Sequence, residues 1–324
     1  VAALVFAMVV VGGATRLTGS GLSITQWKPI LGAIPPLSDA AWADAYSKYR
    51  ATSQYRLINQ GISLDAFKPL FWWEWSHRLL GRALGVVFAI PFVIFLILRS
   101  IPRQLGGRCG LLLGLGGLQG LVGWWMVESG LEGRAAVAPE RLAVHLGLAL
   151  ILFSTLIWTG LEAWAGPAQT VRKDKWPLVT RVFVVGVYIQ CLLGALVAGN
   201  HAGLIDGDWP LMARRWFPEG YWQGDLWSTF AHGLAAVQFN HRALAYALFA
   251  LALVLAIRAS QDPGAKGSLR TLVFAALALV SAQVCLGVMA LLMNVPLGLA
   301  LLHQANAALL LAVAVCLAWR GQRE

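Results

Sequence analysis

Seven apolar runs, at residues 76–98, 109–127, 141–164, 179–199, 231–257, 271–293 and 298–319, are each long enough to cross the roughly 30 Å hydrocarbon core of a bilayer. Inside lipid a segment must satisfy its own backbone polar groups, so these runs are expected to be transmembrane α-helices. An eighth apolar run, Val1 to Gly13, is too short to span alone and carries no initiator Met, so it is expected to be the remainder of a first helix. The expected fold class is therefore an all-α integral membrane protein whose eight transmembrane helices form two tandem, pseudo-symmetric four-helix bundles. Composition agrees: 12% of residues are charged and 58% hydrophobic, against about 25% charged in soluble domains. A soluble enzyme and a disordered chain are both excluded on this count.

The net charge of +10 comes with no basic stripe interleaved with aromatics, so nucleic acid is not the expected partner. It belongs to topology. Arg99, Arg103 and Arg108 share one loop, Arg172, Lys173 and Lys175 the next, and Arg258, Lys266 and Arg270 a third, with Arg320 and Arg323 in the tail. By the positive-inside tendency these loops and both termini face the cytoplasm. Segment 14–70, the acidic stretch 128–140 with Glu128, Glu132 and Glu140, and the Trp-rich loop 200–228 then lie on the outer face. Within 14–70, Asp39 to Phe67 has an amphipathic look suited to the interface. The four Cys (109, 191, 285, 316) fall in apolar runs without CxxC spacing and read as packing residues.

The two halves repeat. Gly12 to Leu22 (GGATRLTGSGL) parallels Gly194 to Leu204 (GALVAGNHAGL), EWSHR at 74–78 parallels QFNHR at 238–242, and Gln119-Gly-Leu-Val-Gly parallels Gln283-Val-Cys-Leu-Gly. Each half closes with a His, His145 or His303, near the start of its last span. The expected division is 1–165, a cytoplasmic linker 166–178, and 179–324. Four spans per unit make the copies parallel. The glycines at 12, 13, 19 and 21 have no preceding strand and no following GK[ST], so they read as tight-turn and close-packing residues rather than a phosphate loop.

His77, His145, His241 and His303 begin helices that descend from the same face, hence at similar depth. Facing imidazoles on helices of a bundle commonly hold haem iron, and ionisable groups in a membrane are costly and usually functional. His201 and His232 have no counterpart in the other repeat and read as structural or rim residues. Arg78 and Arg242 follow the first His of each pair, with Arg82 one turn beyond Arg78. They are suited either to gripping the carboxylates of a macrocycle or to snorkelling to headgroups. Glu74 lies three residues before His77, while its counterpart is Gln238. A carboxylate there either moves protons beside a bound macrocycle or pairs with Arg78, whereas an amide only hydrogen-bonds. This asymmetry puts chemistry in the first half and a retained cofactor in the second.

Taken together, GGATRLTGSGLSITQWKPILGAIPP at 12–36, EWSHRLLGR at 74–82, GWWMVESGL at 123–131, RLAVHL at 141–146, WPLM at 209–212, FNHRALAY at 239–246 and VPLGLALLHQANAALL at 295–310 resemble the haem A synthase family of alphaproteobacteria and mitochondria. The resemblance covers essentially the whole chain. It implies oxidation of the C8 methyl of haem O to the formyl group of haem A, for cytochrome oxidase biogenesis, in a bacterial inner membrane with the haem sites toward the periplasm. His241 and His303, with Arg242 beside them, would hold a haem b cofactor; His77 and His145, with Arg78 and Arg82, would flank the substrate haem; Glu74 would be catalytic. The Cys pair that some relatives carry in the first outer loop is absent here.

The oxidation is expected to run as two hydroxylations and loss of water from the gem-diol, with oxygen from solvent or from O2. Haem O, the lipid bilayer, an unidentified electron donor, haem O synthase and cytochrome oxidase assembly factors are the expected partners. A di-haem b electron-transfer cytochrome is the main rival, and it has no use for the Glu74/Gln238 difference. A transporter of parallel repeats is the weaker one, because the spans carry no helix-breaking Pro pair at midplane depth.

Overall fold

The computed structural model describes residues 1–131, 133–166, 170 and 172–323. Glu132 of the expected acidic stretch, residues 167–169 and 171 of the expected linker, and the last residue of the expected second half, 324, lie outside the described residues. The element order is α1 (Ala2–Leu17), α2 (Asp39–Arg50), α3 (Ser53–Leu57), α4 (Leu64–Ile97), α5 (Arg103–Leu131), α6 (Pro139–Ala165), α7 (Trp176–Gly199), α8 (Leu234–Gln261), α9 (Ser268–Leu292) and α10 (Leu297–Gly321). Among the described residues no strand is present, and an isolated bridge joins Met212 to Arg215.

Among the described residues seven helices, α4 to α10, are long and apolar enough to cross a membrane, while α1 is apolar but has 16 residues. The outward apolar surface fits lipid: Ile97 is 73% exposed, Leu178 65% and Leu121 63%, an arrangement water would penalise. The four cysteines are free thiols, with Cys285 exposed and the other three partly buried.

The helix boundaries differ from the expected runs by a few residues, most of all at α4. Helix α4 begins at Leu64 rather than near residue 76, its N-terminus capped by the Ser63 hydroxyl, which accepts from the Ala66 N–H. Its added turns do not depend on lipophilicity. Phe67, Phe71 and Glu74 recur at helical spacing and are buried, the two rings packing on Tyr49 of α2, and Tyr49 and Phe67 are both 0% exposed. The segment 39–67, expected as one amphipathic stretch, thus divides into α2, α3 and the first turn of α4. Ser38 and Thr52 cap the two short helices.

Contacts divide the chain into two compact units, Val1–Ala149 and Leu150–Glu324, so this boundary falls within α6. In the first unit α1 packs along α4 and α4 against α5, while Arg141 Nη1 of α6 donates to the Trp125 carbonyl of α5 at 2.7 Å. In the second unit α7 packs on α8, α8 on α9, α9 on α10 and α10 back on α7, closing a four-helix ring.

The paired glycine motifs take up the same local shape. After α1, Gly19 adopts φ +68° and leads into a 3-10 turn at Ser20–Leu22; after α7, His201 adopts φ +54° and leads into one at Ala202–Leu204. His201 therefore occupies a left-handed position that glycine fills in the first copy, in keeping with a structural role.

Candidate functional site: four imidazoles on four glycines

Each of the four repeated histidines leans on a glycine of a neighbouring helix. A Cβ at Gly12 of α1 would stand 3.1 Å from His77 Nε2 of α4, and one at Gly123 of α5 would stand 2.9 Å from His145 Cε1 of α6. In the second unit the distances are 3.2 Å from Gly194 of α7 to His241 Cε1 of α8, and 2.9 Å from Gly287 of α9 to His303 Cε1 of α10. A Cβ would overlap the ring at Gly123 and Gly287 and press on it at Gly12 and Gly194, so the glycines let an imidazole lie against the next helix. All four rings are partly buried.

Three of the rings are also held by a glutamine one turn before the glycine. Gln119 Nε2 donates to the His145 carbonyl at 3.0 Å and lies 3.2 Å from the ring Nδ1. Gln190 Nε2 does the same to His241, at 2.9 and 3.1 Å. Gln283 Nε2 lies 3.2 Å from His303 Nε2, while its own Oε1 accepts from Asn306 Nδ2 at 2.7 Å. These glutamines and glycines were missed as functional residues in the sequence, although the signal was there. Gln-x3-Gly recurs in α5, α7 and α9, and only the packing reveals that it addresses a histidine.

His241 and His303 come together with ring centroids 6.3 Å apart. His77 on α4 and His145 on α6 belong to the first unit. His232 makes an edge contact with Trp227.

Around His77 the acid and the arginine meet. Glu74 is 4% exposed, and Arg78 Nε donates to its Oε1 at 2.5 Å. Arg78 also donates to the carbonyls of Gln26 and Ile24 at 2.9 and 2.7 Å. Arg82 donates to those of Pro29 and Lys28 at 2.7 and 2.8 Å. In the second unit Arg242 donates to the carbonyls of Asp206, Asp208 and Leu211, and Gln238 Nε2 to that of Asp206 at 3.0 Å. In the structure these guanidinium groups therefore have loop carbonyls as hydrogen-bond acceptors, besides the Glu74 carboxylate on Arg78. Their N–H groups satisfy loop carbonyls that no helix or strand accommodates, so they tie down the segments that follow α1 and α7. Arg82 Nη1 is the exception, buried without a hydrogen-bond partner.

Each pair supplies two nitrogens, and among the described residues no group of three or more His, Cys, Asp or Glu is placed to hold a metal ion. Two imidazoles are what a planar tetradentate macrocycle leaves for the protein to provide. Two metal–nitrogen bonds of about 2 Å, with the ring radii added, bring opposed imidazole centroids to roughly the 6.3 Å seen between His241 and His303. His303 Nδ1, Gln119 Oε1 and Gln190 Oε1 are buried without hydrogen-bond partners. The residues present fit a haem.

Residues 1–315 match the family model described as cytochrome oxidase assembly protein. A relative from Caulobacter vibrioides, named Heme A synthase, is 56% identical over 323 residues, which cover 100% of this chain and 94% of its own. Relatives of the same name from Parvibaculum lavamentivorans (45% identical, covering 97% of this chain and 90% of their own) and Maricaulis maris (44% identical, 100% and 94%) are similar throughout.

Proposed function

The chain belongs to the cytochrome oxidase assembly protein family, and from that membership and its four glycine-backed imidazoles we infer that it is a haem A synthase. It oxidises the C8 methyl group of haem O to the formyl group of haem A, for cytochrome oxidase biogenesis. The observation that carries the site assignment is the duplicated His-on-Gly arrangement with a carboxylate in one copy and an amide in the other.

In this reading α1 counts as the eighth transmembrane helix, and two four-helix halves, 1–165 and 179–324, are joined by the linker 166–178. The ring of α7 to α10 and the twin exits at Gly19 and His201 support the duplication. By the positive-inside tendency of the Lys/Arg-rich loops, the same reading has both termini in the cytoplasm and the histidines toward the periplasmic side of the inner membrane. His77 and His145 hold the substrate haem, and His241 and His303 hold haem b. When bound, haem b supplies one-electron transfer, which a methyl-to-formyl oxidation requires repeatedly. An electron donor, haem O synthase and assembly factors are the partners this activity calls for.

Glu74 is the residue assigned to proton handling. Its Oε1 is fixed by Arg78, and that guanidinium is itself pinned by the carbonyls of Ile24 and Gln26, so the carboxylate has a set position one turn from His77. Gln238 cannot take up or release a proton at the equivalent place. Arg242 has loop carbonyls and no carboxylate as hydrogen-bond partners, which makes it the arginine best suited to a ligand's carboxylate in the second half. Arg82 Nη1 is the matching unused donor in the first.

The test is pigment extraction from wild type and from single His→Ala variants. His77 and His145 variants should lose haem O and haem A, and His241 and His303 variants haem b. Glu74→Gln should keep both pigments while haem A formation falls by about 100-fold, within the range for general acid–base groups. Normal haem A formation by Glu74→Gln would remove that role. Two haem b and no haem O or A in wild type would instead favour the electron-transfer cytochrome.

A further inference from the structure

The four imidazole sites are built on one plan, and one departs from it. Counting four residues back from the cradle glycine gives Gln119, Gln190 and Gln283 in α5, α7 and α9, but Met8 in α1. Counting four residues on from the histidine gives Ala149, Ala245 and Ala307, but Gly81 in α4. The two departures face each other: a Cβ at Gly81 would lie 3.2 Å from Met8 Cε. The thioether thus fills the place of a carboxamide, and the facing helix has given up a methyl group to admit it.

The chemical consequence falls on His77. The other three rings each lie against a carboxamide nitrogen, and two of those carboxamides also hold the histidine's backbone. A thioether has no N–H to donate and is a weak acceptor, and its side chain is flexible. Among the described residues the His77 ring has no hydrogen-bond partner. A carboxamide packed against the ring limits how far the imidazole can turn, and contacts that orient a ligating imidazole are typically worth about 10- to 100-fold in metal affinity. A cofactor site is served by two fixed rings. A site that must admit a substrate and let a product go is served by one fixed ring and one that can swing.

We propose that Met8 leaves His77 untethered so that it is the exchangeable axial ligand of the substrate haem, with His145, held by Gln119, as the permanent one. This rests on the first half being the substrate site and adds how that site releases what it holds. Met8 is a positioning residue: it touches α4 beside the histidine rather than the reacting methyl.

The test uses purified full-length protein carrying both pigments, mixed with excess apomyoglobin as haem acceptor. Haem O plus haem A and haem b are followed separately by timed extraction. Met8→Gln should slow the loss of haem O and haem A by about tenfold and leave haem b loss unchanged. Met8→Leu, which restores no amide, should release like wild type. Gln190→Met, the reverse exchange, should speed haem b loss by about tenfold. The proposal is overturned if Met8→Gln, with full pigment content, releases haem O and haem A at the wild-type rate. It is also overturned if Met8→Leu slows release as much as Met8→Gln, because bulk rather than the amide would then be responsible. Failure of the functional reading looks different: His77→Ala and His145→Ala would keep their haem O and haem A, and no tether would be at issue.

Discussion

Replacing Gly287 with Ala adds one carbon and tests whether the glycine cradle is what places His303. The new Cβ would stand 2.9 Å from Cε1, 3.4 Å from Nδ1 and 3.7 Å from Nε2. The last two are tolerable contacts, but the first is about 0.5 Å or more too short for packed carbon atoms. Gln283 and Asn306 hold the ring on one side, so it must move toward His241, whose centroid is 6.3 Å away. Overpacking typically costs about 1–3 kcal/mol, and the gain in helix propensity returns up to about 1 kcal/mol. A net cost of up to about 2 kcal/mol borne by the ligand position lowers haem affinity by up to about 30-fold. Gly117→Ala in α5 is the control: nothing lies within 4 Å of its added carbon, so it should keep its pigment and gain up to about 1 kcal/mol of helix stability. The assay is haem b per protein with the visible spectrum of the reduced form, beside thermal unfolding in detergent. Gly287→Ala should lose haem b or its six-coordinate spectrum while remaining folded. Full haem b content with an unaltered spectrum would refute the cradle argument.

Further expectations follow from the segment between α1 and α4 and from the loops that carry Asp174 and Asp262. Tyr49 donates to Gln54 Oε1 at 3.2 Å and accepts from Asn59 Nδ2 at 2.6 Å within a buried cluster, so Tyr49→Phe should cost about 1–3 kcal/mol and speed proteolysis within 53–63; unchanged cleavage would count against this anchoring. Glu74→Ala should destabilise by about 3–5 kcal/mol, the cost of breaking a buried pair, whereas Glu74→Gln, which keeps an acceptor for Arg78 Nε, should melt closer to wild type. Hydrogen bonds from the Trp176 indole and the Gly264 N–H hold the Asp262 carboxyl below its usual range, and hydrogen bonding to Arg172 lowers Asp174. Because both values are depressed on folding, their stabilisation is present above the unfolded value of about 3.9 and fades as the pH falls through the lower folded values. Thermal unfolding of Asp262→Asn should therefore lie below wild type at neutral pH and converge with it in acid, and a constant gap would exclude the linkage.

Much of the site was legible as residue types. His77, His145, His241 and His303 stand out because a repeated ionisable group in an apolar span has a cost that packing alone does not explain. Glu74 stands out against Gln238 once the halves are aligned. The roles of Arg78, Arg82 and Arg242 were not legible, because a guanidinium beside a histidine looks the same in sequence whether it faces a ligand or a loop. Carbonyls at Ile24, Gln26, Lys28 and Pro29, some fifty residues away in the chain, are the partners that folding brings to Arg78 and Arg82. The early start of α4 was hidden for a related reason. Hydropathy reports contact with lipid, whereas the turns from Leu64 to Trp75 are held by burial of Phe67 and Phe71 against Tyr49.

The amino-acid order alone determined that the chain is helical and lives in a membrane, that it repeats, and which imidazoles and which acid are at stake. Those are properties of local composition and spacing, and they survive whatever the helices touch. Tertiary structure decided which glycine receives which ring, which glutamine holds it, and that Met8 stands where the fourth glutamine would. Such pairings depend on which faces of two helices meet, and a helix's own 3.6-residue period carries no information about its neighbour's register.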